Sequence, residues 1–111
     1  MPESAKAGSS PPFRIFATRQ FSKDLASLGP AVRVLLEAKL RDHIYPVLSE
    51  NPDWGPNMKR LKNWEPPTWR YRVGDWRFFY EIDATERIVF LVAADHRKHP
   101  YRLMWRPPAG A

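Results

Sequence analysis

The sequence predicts an α+β domain: an N-terminal strand, a two-helix hairpin, then a three-stranded antiparallel meander, with the helices packed on one face of a small sheet. Three observations carry this reading. Apolar residues recur at three- and four-residue spacing only in the first half of the chain. Strand-like stretches occupy residues 13–18 and 69–94. Short turn sequences, Gly74-Asp75 and Asp83-Ala84-Thr85-Glu86, separate the later strands.

Each element has its own sequence signal. Residues 1–12 (MPESAKAGSSPP) are small, polar and without periodicity, and are expected to form a disordered leader. Phe13 to Thr18 alternates and is β-prone, which predicts the first strand. Phe21 to Leu28 predicts a short helix with Ser22 as its N-cap, stopped by Gly29-Pro30. In the second helix Val32, Leu35, Leu36, Leu40, Ile44, Val47 and Leu48 form one apolar stripe, which requires a sheet to cover it. Pro46 is expected to kink that helix or end it early. Pro52 to Pro67 reads as a loop too rich in proline for regular structure. Strands are then expected from Trp69 to Val73, from Trp76 to Ile82, and from Arg87 to Ala94, the last apolar enough to be buried on both faces. The domain is expected to span residues 13–105, followed by a flexible tail over 106–111.

With 111 residues the chain suffices for one domain and not two. It is 43% hydrophobic and carries five Trp, six Phe and four Tyr, enough large side chains to build a core without covalent staples. The absence of Cys excludes disulfides and thiolate metal sites and fits a reducing compartment. No apolar run approaches the roughly 20 residues that span a bilayer, so a soluble cytoplasmic protein with no membrane partner is expected. A net charge of +6 favours a polyanionic partner, because phosphate neutralisation releases counterions. A basic surface that merely aids solubility is the competing explanation.

Strand periodicity shows where that charge collects. Trp69, Tyr71 and Val73 point to one side of their strand, and Arg70 and Arg72 to the other. In the next strand Trp76, Phe78, Tyr80 and Ile82 face one side, while Arg77, Phe79 and Glu81 face the other. The tight turn therefore puts Arg70, Arg72 and Arg77 on one face, where they repel one another in the absence of an anion. A solvated face with Glu81 as partial counterion accounts for the same pattern. A second basic group, His96, Arg97, Lys98, His99 and Arg102 with Tyr101, follows the last strand, and Lys59, Arg60 and Lys62 lie in the long loop. Basic residues interleaved with aromatics suit single-stranded nucleic acid, although Trp69 and Trp76 are expected to be mainly structural. His96 and His99 lack a third ligand at metal-binding spacing, and Arg97 and Lys98 oppose a cation, so neither metal nor cofactor is expected. His43 is expected on the helix surface. No Gly-rich phosphate loop or nucleophile elbow is present.

The run Trp69 to Asp83 (WRYRVGDWRFFYEID) resembles the Y-R-[IL]-R-x-G-[DN]-Y-R-[VL]-[IL]-Y-x-[IV] segment of the RelE/ParE toxin superfamily. Asp95 to Arg102 (DHRKHPYR) is similar to the G-H-R-[RK]-[DE]-x-Y-[RK] ending of the same family, and the likeness spans about residues 13–105. The resemblance implies a toxin of a type II toxin–antitoxin system: a ribosome-dependent endoribonuclease that cleaves messenger RNA, inhibits translation and is held by a cognate antitoxin. Carried over by position, it implies catalytic roles for Arg77 at the scissile phosphate, for Arg97 after the last strand, and for Tyr101 against the RNA. Arg70 and Arg72 match the basic pair that binds substrate, with Lys59, Arg60, Lys62, Lys98, His99 and Arg102 as further RNA contacts. His96 or His99 is the side-chain type suited to moving protons near neutral pH. Two features depart from the pattern: Asp95 stands where the family has Gly, and Pro100 stiffens the approach to Tyr101. A ParE-like inhibitor of DNA gyrase and a noncatalytic RNA-binding domain are the alternative readings.

Overall fold

A computed structural model describes residues 12–96. Residues 1–11 of the expected 1–12 leader and the segment from Arg97 onward lie outside the described residues. Strand β1 spans Arg14–Ala17, helix α1 Arg19–Ala26 and helix α2 Pro30–Lys39. A π-helical turn over Leu40–Ile44 runs directly into helix α3, Tyr45–Glu50. Four strands follow: β2 (Met58–Arg60), β3 (Trp69–Val73), β4 (Trp76–Asp83) and β5 (Ile88–His96). With β1 they form one five-stranded sheet in the order β1-β5-β4-β3-β2, antiparallel except for the parallel β1–β5 pair.

Several boundaries differ from the sequence expectation for identifiable reasons. Helix α1 begins at Arg19 because Thr18, not Ser22, is its N-cap and accepts from the Phe21 amide at 3.4 Å. The Thr18 hydroxyl also donates to the Leu91 carbonyl at 2.7 Å, pinning the start of the helix to β5. Pro46 does not end the helical region. In the π turn the Tyr45 amide bonds the Leu40 carbonyl five residues back, and the wider turn makes room for the proline ring. The apolar stripe proves narrower than expected. Leu36, Leu40, Ile44 and Leu48, spaced by four, are buried, whereas Val32, Leu35 and Val47 are exposed. A single sheet covers only one line along the helix.

The Pro-rich segment also holds a strand that periodicity does not reveal. Strand β2 has three residues, and Met58, Lys59 and Arg60 pair with Tyr71, Arg70 and Trp69. Three residues are too few to register an alternation, and Asn57 and Asn63 flank the strand in the left-handed region at φ +71° and +60°. Strand β5 is buried on both faces only towards its C-terminal end, where Ala94 lies under the helices and Ala93 and Asp95 are buried on the opposite face. Val89 and Leu91 are buried under the helices, while Ile88, Phe90 and Val92 remain half-buried. Arg87, expected within this strand, instead lies in the preceding turn at φ +56°.

The main core lies between helices and sheet. Phe21, Leu25, Leu36, Leu40, Ile44 and Leu48 meet Tyr71, Phe78, Tyr80, Val89 and Leu91. Tyr80 is fully buried, and its hydroxyl donates to the Pro52 carbonyl at 2.7 Å, tying the loop after α3 to the sheet. That burial, with Asp53 and Tyr71 adding to it, raises its pKa far above the ordinary tyrosine value. Trp69 and Trp76 are half-buried against this core, as expected. A smaller core occupies the opposite face, where Leu61 and Trp64 fold over Phe79 and Ala93, and Trp64 stacks on Phe79 at 6.0 Å.

Candidate nucleic-acid interface

The face away from the helices carries the basic residues in two rows. Gly74 begins the two-residue β3–β4 turn at φ +59°, the positive value that twist-matched hairpin turns require at their first central position. That turn sets a register in which Arg72 faces Arg77, and Arg77 in turn faces Asp95 on β5. The second row runs from Lys59 on β2 through Arg70 and Phe79 to Ala93. Arg70, Arg72 and Arg77 therefore share one face, as strand alternation predicts.

The Arg72–Arg77 pair is close for a geometric reason. The Arg72 amide bonds the Asn57 carbonyl at 2.9 Å, on the β2 side, so Arg72 and Arg77 form a non-hydrogen-bonded antiparallel pair. Such pairs bring Cα atoms to about 4.5 Å, nearer than hydrogen-bonded ones. Two like charges directly opposite each other destabilise a hairpin. A bound anion removes that repulsion.

Arg77 is held rather than free. Its guanidinium donates to the His96 carbonyl at 3.1 Å and is half-buried in the sheet. Asp95, opposite it, is only 5% exposed and accepts from the His96 amide at 2.9 Å. This carboxylate, an oddity in the sequence, becomes the negative end of the first row. Arg70 presents a buried Nε that finds no hydrogen-bond partner among the described residues. The small core of Leu61, Trp64 and Phe79 walls one end of the face, and Glu81 lies beyond it on β4. Burial raises the Glu81 carboxyl above the usual carboxylate range.

The structure divides the remaining residues singled out in the sequence. The His96 ring contacts Trp76 edge-on at 4.8 Å, and these two residues are register partners. Trp76 packs against the main core, so the imidazole sits on the helix side of the sheet, across from the Arg77 side chain. Arg60 pairs with Trp69 on that same helix side, and Lys62 lies in the turn beyond β2. His43 is exposed on the π turn. Arg97, Lys98, His99, Tyr101 and Arg102 lie outside the described residues; the chain enters that segment from His96, the residue whose carbonyl Arg77 holds. Two participants escape sequence reasoning. Phe79 becomes a wall only because Trp64 covers it, and Trp54 is 74% exposed beside β2. The signal for Trp54 is its setting, an indole between Asp53 and Gly55 in a Pro-rich loop.

A small mixed sheet with a helical layer on one face and an arginine-lined face opposite defines a class of compact basic toxins. The model of the ParE toxin of the type II toxin–antitoxin system parDE matches residues 15–101. The chain belongs to the RelE/ParE toxin superfamily, and is a toxin of the type II toxin–antitoxin kind. Among solved structures it is similar to the RelBE2 toxin–antitoxin complex of Mycobacterium tuberculosis, at 26% identity and TM-score 0.62, covering 80% of this chain and 95% of that one. The archaeal RelE–RelB complex of Pyrococcus horikoshii matches at 23% identity and TM-score 0.53, over 77% of this chain and 94% of that one. A doubly arginine-substituted E. coli RelE in the free state matches at 19% identity and TM-score 0.57, over 80% and 87%. The last two likenesses speak to the fold alone. No curated protein sequence is a significant match.

Proposed function

We propose that this toxin is an endoribonuclease that cleaves messenger RNA on the ribosome and is neutralised by a cognate antitoxin. The observation that carries the reading is the row Arg72–Arg77–Asp95, in which two arginines face each other on the exposed sheet face and the second is oriented by the sheet itself. In the proposed reaction a ribose 2′-oxygen attacks the adjacent phosphorus. The bond to the 5′-oxygen breaks, the 2′-proton leaves, and a proton reaches the departing 5′-oxygen. Arg77 stabilises the charge that grows on the non-bridging oxygens, because a guanidinium stays protonated and grips two oxygens at once. Arg97 and Tyr101 complete the site from the segment that follows His96, Arg97 adding charge and Tyr101 stacking on the RNA. Arg70, Arg72 and Lys59 bind flanking phosphates, and Lys62, Lys98, His99 and Arg102 extend the contact. The site needs no metal. His96 is not assigned the proton transfer, since its ring packs on Trp76 across the sheet. The ribosome supplies the substrate alignment that a site so poor in acids and bases lacks. Support for an antitoxin partner comes from the relatives solved as RelB–RelE complexes.

A second reading, inhibition of DNA gyrase without cleavage, is favoured by the match to the ParE family model. Expression of the toxin alone, with mapping of transcript ends and plasmid supercoiling in the same cells, separates the two. New 5′ ends within coding sequences with unchanged supercoiling are expected. Relaxed plasmids with intact transcripts refute the nuclease and establish the gyrase reading.

A further inference from the structure

The loop between α3 and β2 builds a cavity outside the arginine face. Asp53, Trp54, Met58, Lys59, Arg60 and Trp69 line a space of about 370 Å³, near the lower end of the range for small-ligand sites. The loop is fixed at several points. The Tyr80 hydroxyl donates to the Pro52 carbonyl at 2.7 Å, the Met58 amide to the Gly55 carbonyl at 3.3 Å, and the Arg72 amide to the Asn57 carbonyl at 2.9 Å. In this tethered loop the Trp54 indole is 74% exposed, so it adds little to the core.

The other wall is a pile of flat groups. Trp69 stacks on Tyr80 at 6.3 Å, and the Arg60 guanidinium lies over Trp69 at 5.4 Å from its centroid. An exposed indole and a guanidinium stack bordering one cavity offer the surfaces on which unpaired bases pile. Lys59, in register with Arg70, stands on the strand edge between the cavity and the arginine face. Asp53 repels acidic ligands but accepts hydrogen bonds from ring and exocyclic N–H groups, which guanine presents side by side. We propose that this cavity is a nucleobase subsite for single-stranded RNA, holding one base against Trp54 and the Arg60–Trp69 stack with its phosphate on Lys59. The proposal rests on the RNA-directed reading above and extends it. It gives the substrate a second grip around the β2 edge from the cleavage face.

Guanosine 5′-monophosphate is the probe, followed through the indole N–H signals of the ¹⁵N-labelled protein. The Trp54 and Trp69 signals should shift saturably, assigned with Trp54→Phe. Trp54→Ala should weaken binding about 5- to 150-fold, the loss of one base–aromatic stack, and exposure at Trp54 makes a folding defect in that variant unexpected. Ribose 5-phosphate should move neither indole at the same concentration. Equal titration by ribose 5-phosphate, an unchanged midpoint in Trp54→Ala, or tighter binding of a polyproline peptide overturns the proposal, the last result marking a peptide groove. RNA cleavage without nucleotide binding removes the subsite alone, and nucleotide binding without cleavage removes the nuclease reading alone.

Discussion

Leu40→Ala is expected to destabilise the domain by about 3 kcal/mol, because Leu40 is 1% exposed at the centre of the helix–sheet core. Losing roughly three carbons costs about 2.4 kcal/mol in transfer free energy at ~0.8 kcal/mol each. The cavity left behind raises this into the ~2.7–5 kcal/mol range of buried Leu→Ala changes. At roughly 4–8 °C per kcal/mol for a domain of this size, Tm should fall by about 12–24 °C. Leu35→Ala is the matched control on the same helix. Leu35 is 58% exposed, so its loss should stay within about 0.5 kcal/mol. Thermal unfolding followed by circular dichroism, with urea titration for the free energies, measures both. Equal losses for the two variants would refute the claim that only the four-spaced line Leu36, Leu40, Ile44 and Leu48 packs on the sheet.

Two further predictions concern charge. Burial raises the folded-state pKa of Glu81, so the group contributes stability that is fully present below the ordinary glutamate value and is lost as pH rises through the folded one. Glu81→Gln should therefore raise Tm at pH 7, and the advantage should vanish in acid; a variant less stable than wild type at pH 7 shows that Glu81 is a needed counterion instead. If Lys59, Arg70, Arg72 and Arg77 each hold one phosphate, log affinity for single-stranded RNA should fall with log salt at a slope of about −3, reduced by about 0.7 in Arg72→Ala. A slope near zero means the +6 charge serves solubility.

What the sequence made legible depended on how local each signal is. Alternation over Trp69 to Ile82 and the Gly74-Asp75 turn specify which side chains share a face, so the grouping of Arg70, Arg72 and Arg77 was readable without coordinates. Strand β2 was not, because three residues between two left-handed asparagines carry no period. The buried helix stripe is narrower than its spacing implies, since spacing alone cannot say how much of a helix a single sheet will cover; Val32 and Leu35 fit the period and still face outward. The position of the His96 ring was settled by tertiary structure. Alternation in β5 is not simple, because a register shift at Phe79/Tyr80 changes the phase of pairing before His96 meets Trp76. Asp95 stood out in the sequence only as a departure from the family pattern, and its place in a row with the two arginines came from the β4–β5 register.

The most direct test of the nuclease account is the single-turnover cleavage rate of Arg77→Ala on programmed ribosomes, measured alongside its ribosome affinity. Arg77 leaves the sheet on the face opposite Phe78, so the variant should fold, as circular dichroism will report. A group that stabilises charge mainly in the transition state affects rate more than binding. The rate should therefore fall about 10²–10³-fold, while affinity, spread over Lys59, Arg70, Arg72 and the remaining basic residues, changes far less. An equal drop in rate and affinity reduces Arg77 to a binding residue, and an undiminished rate contradicts the account outright.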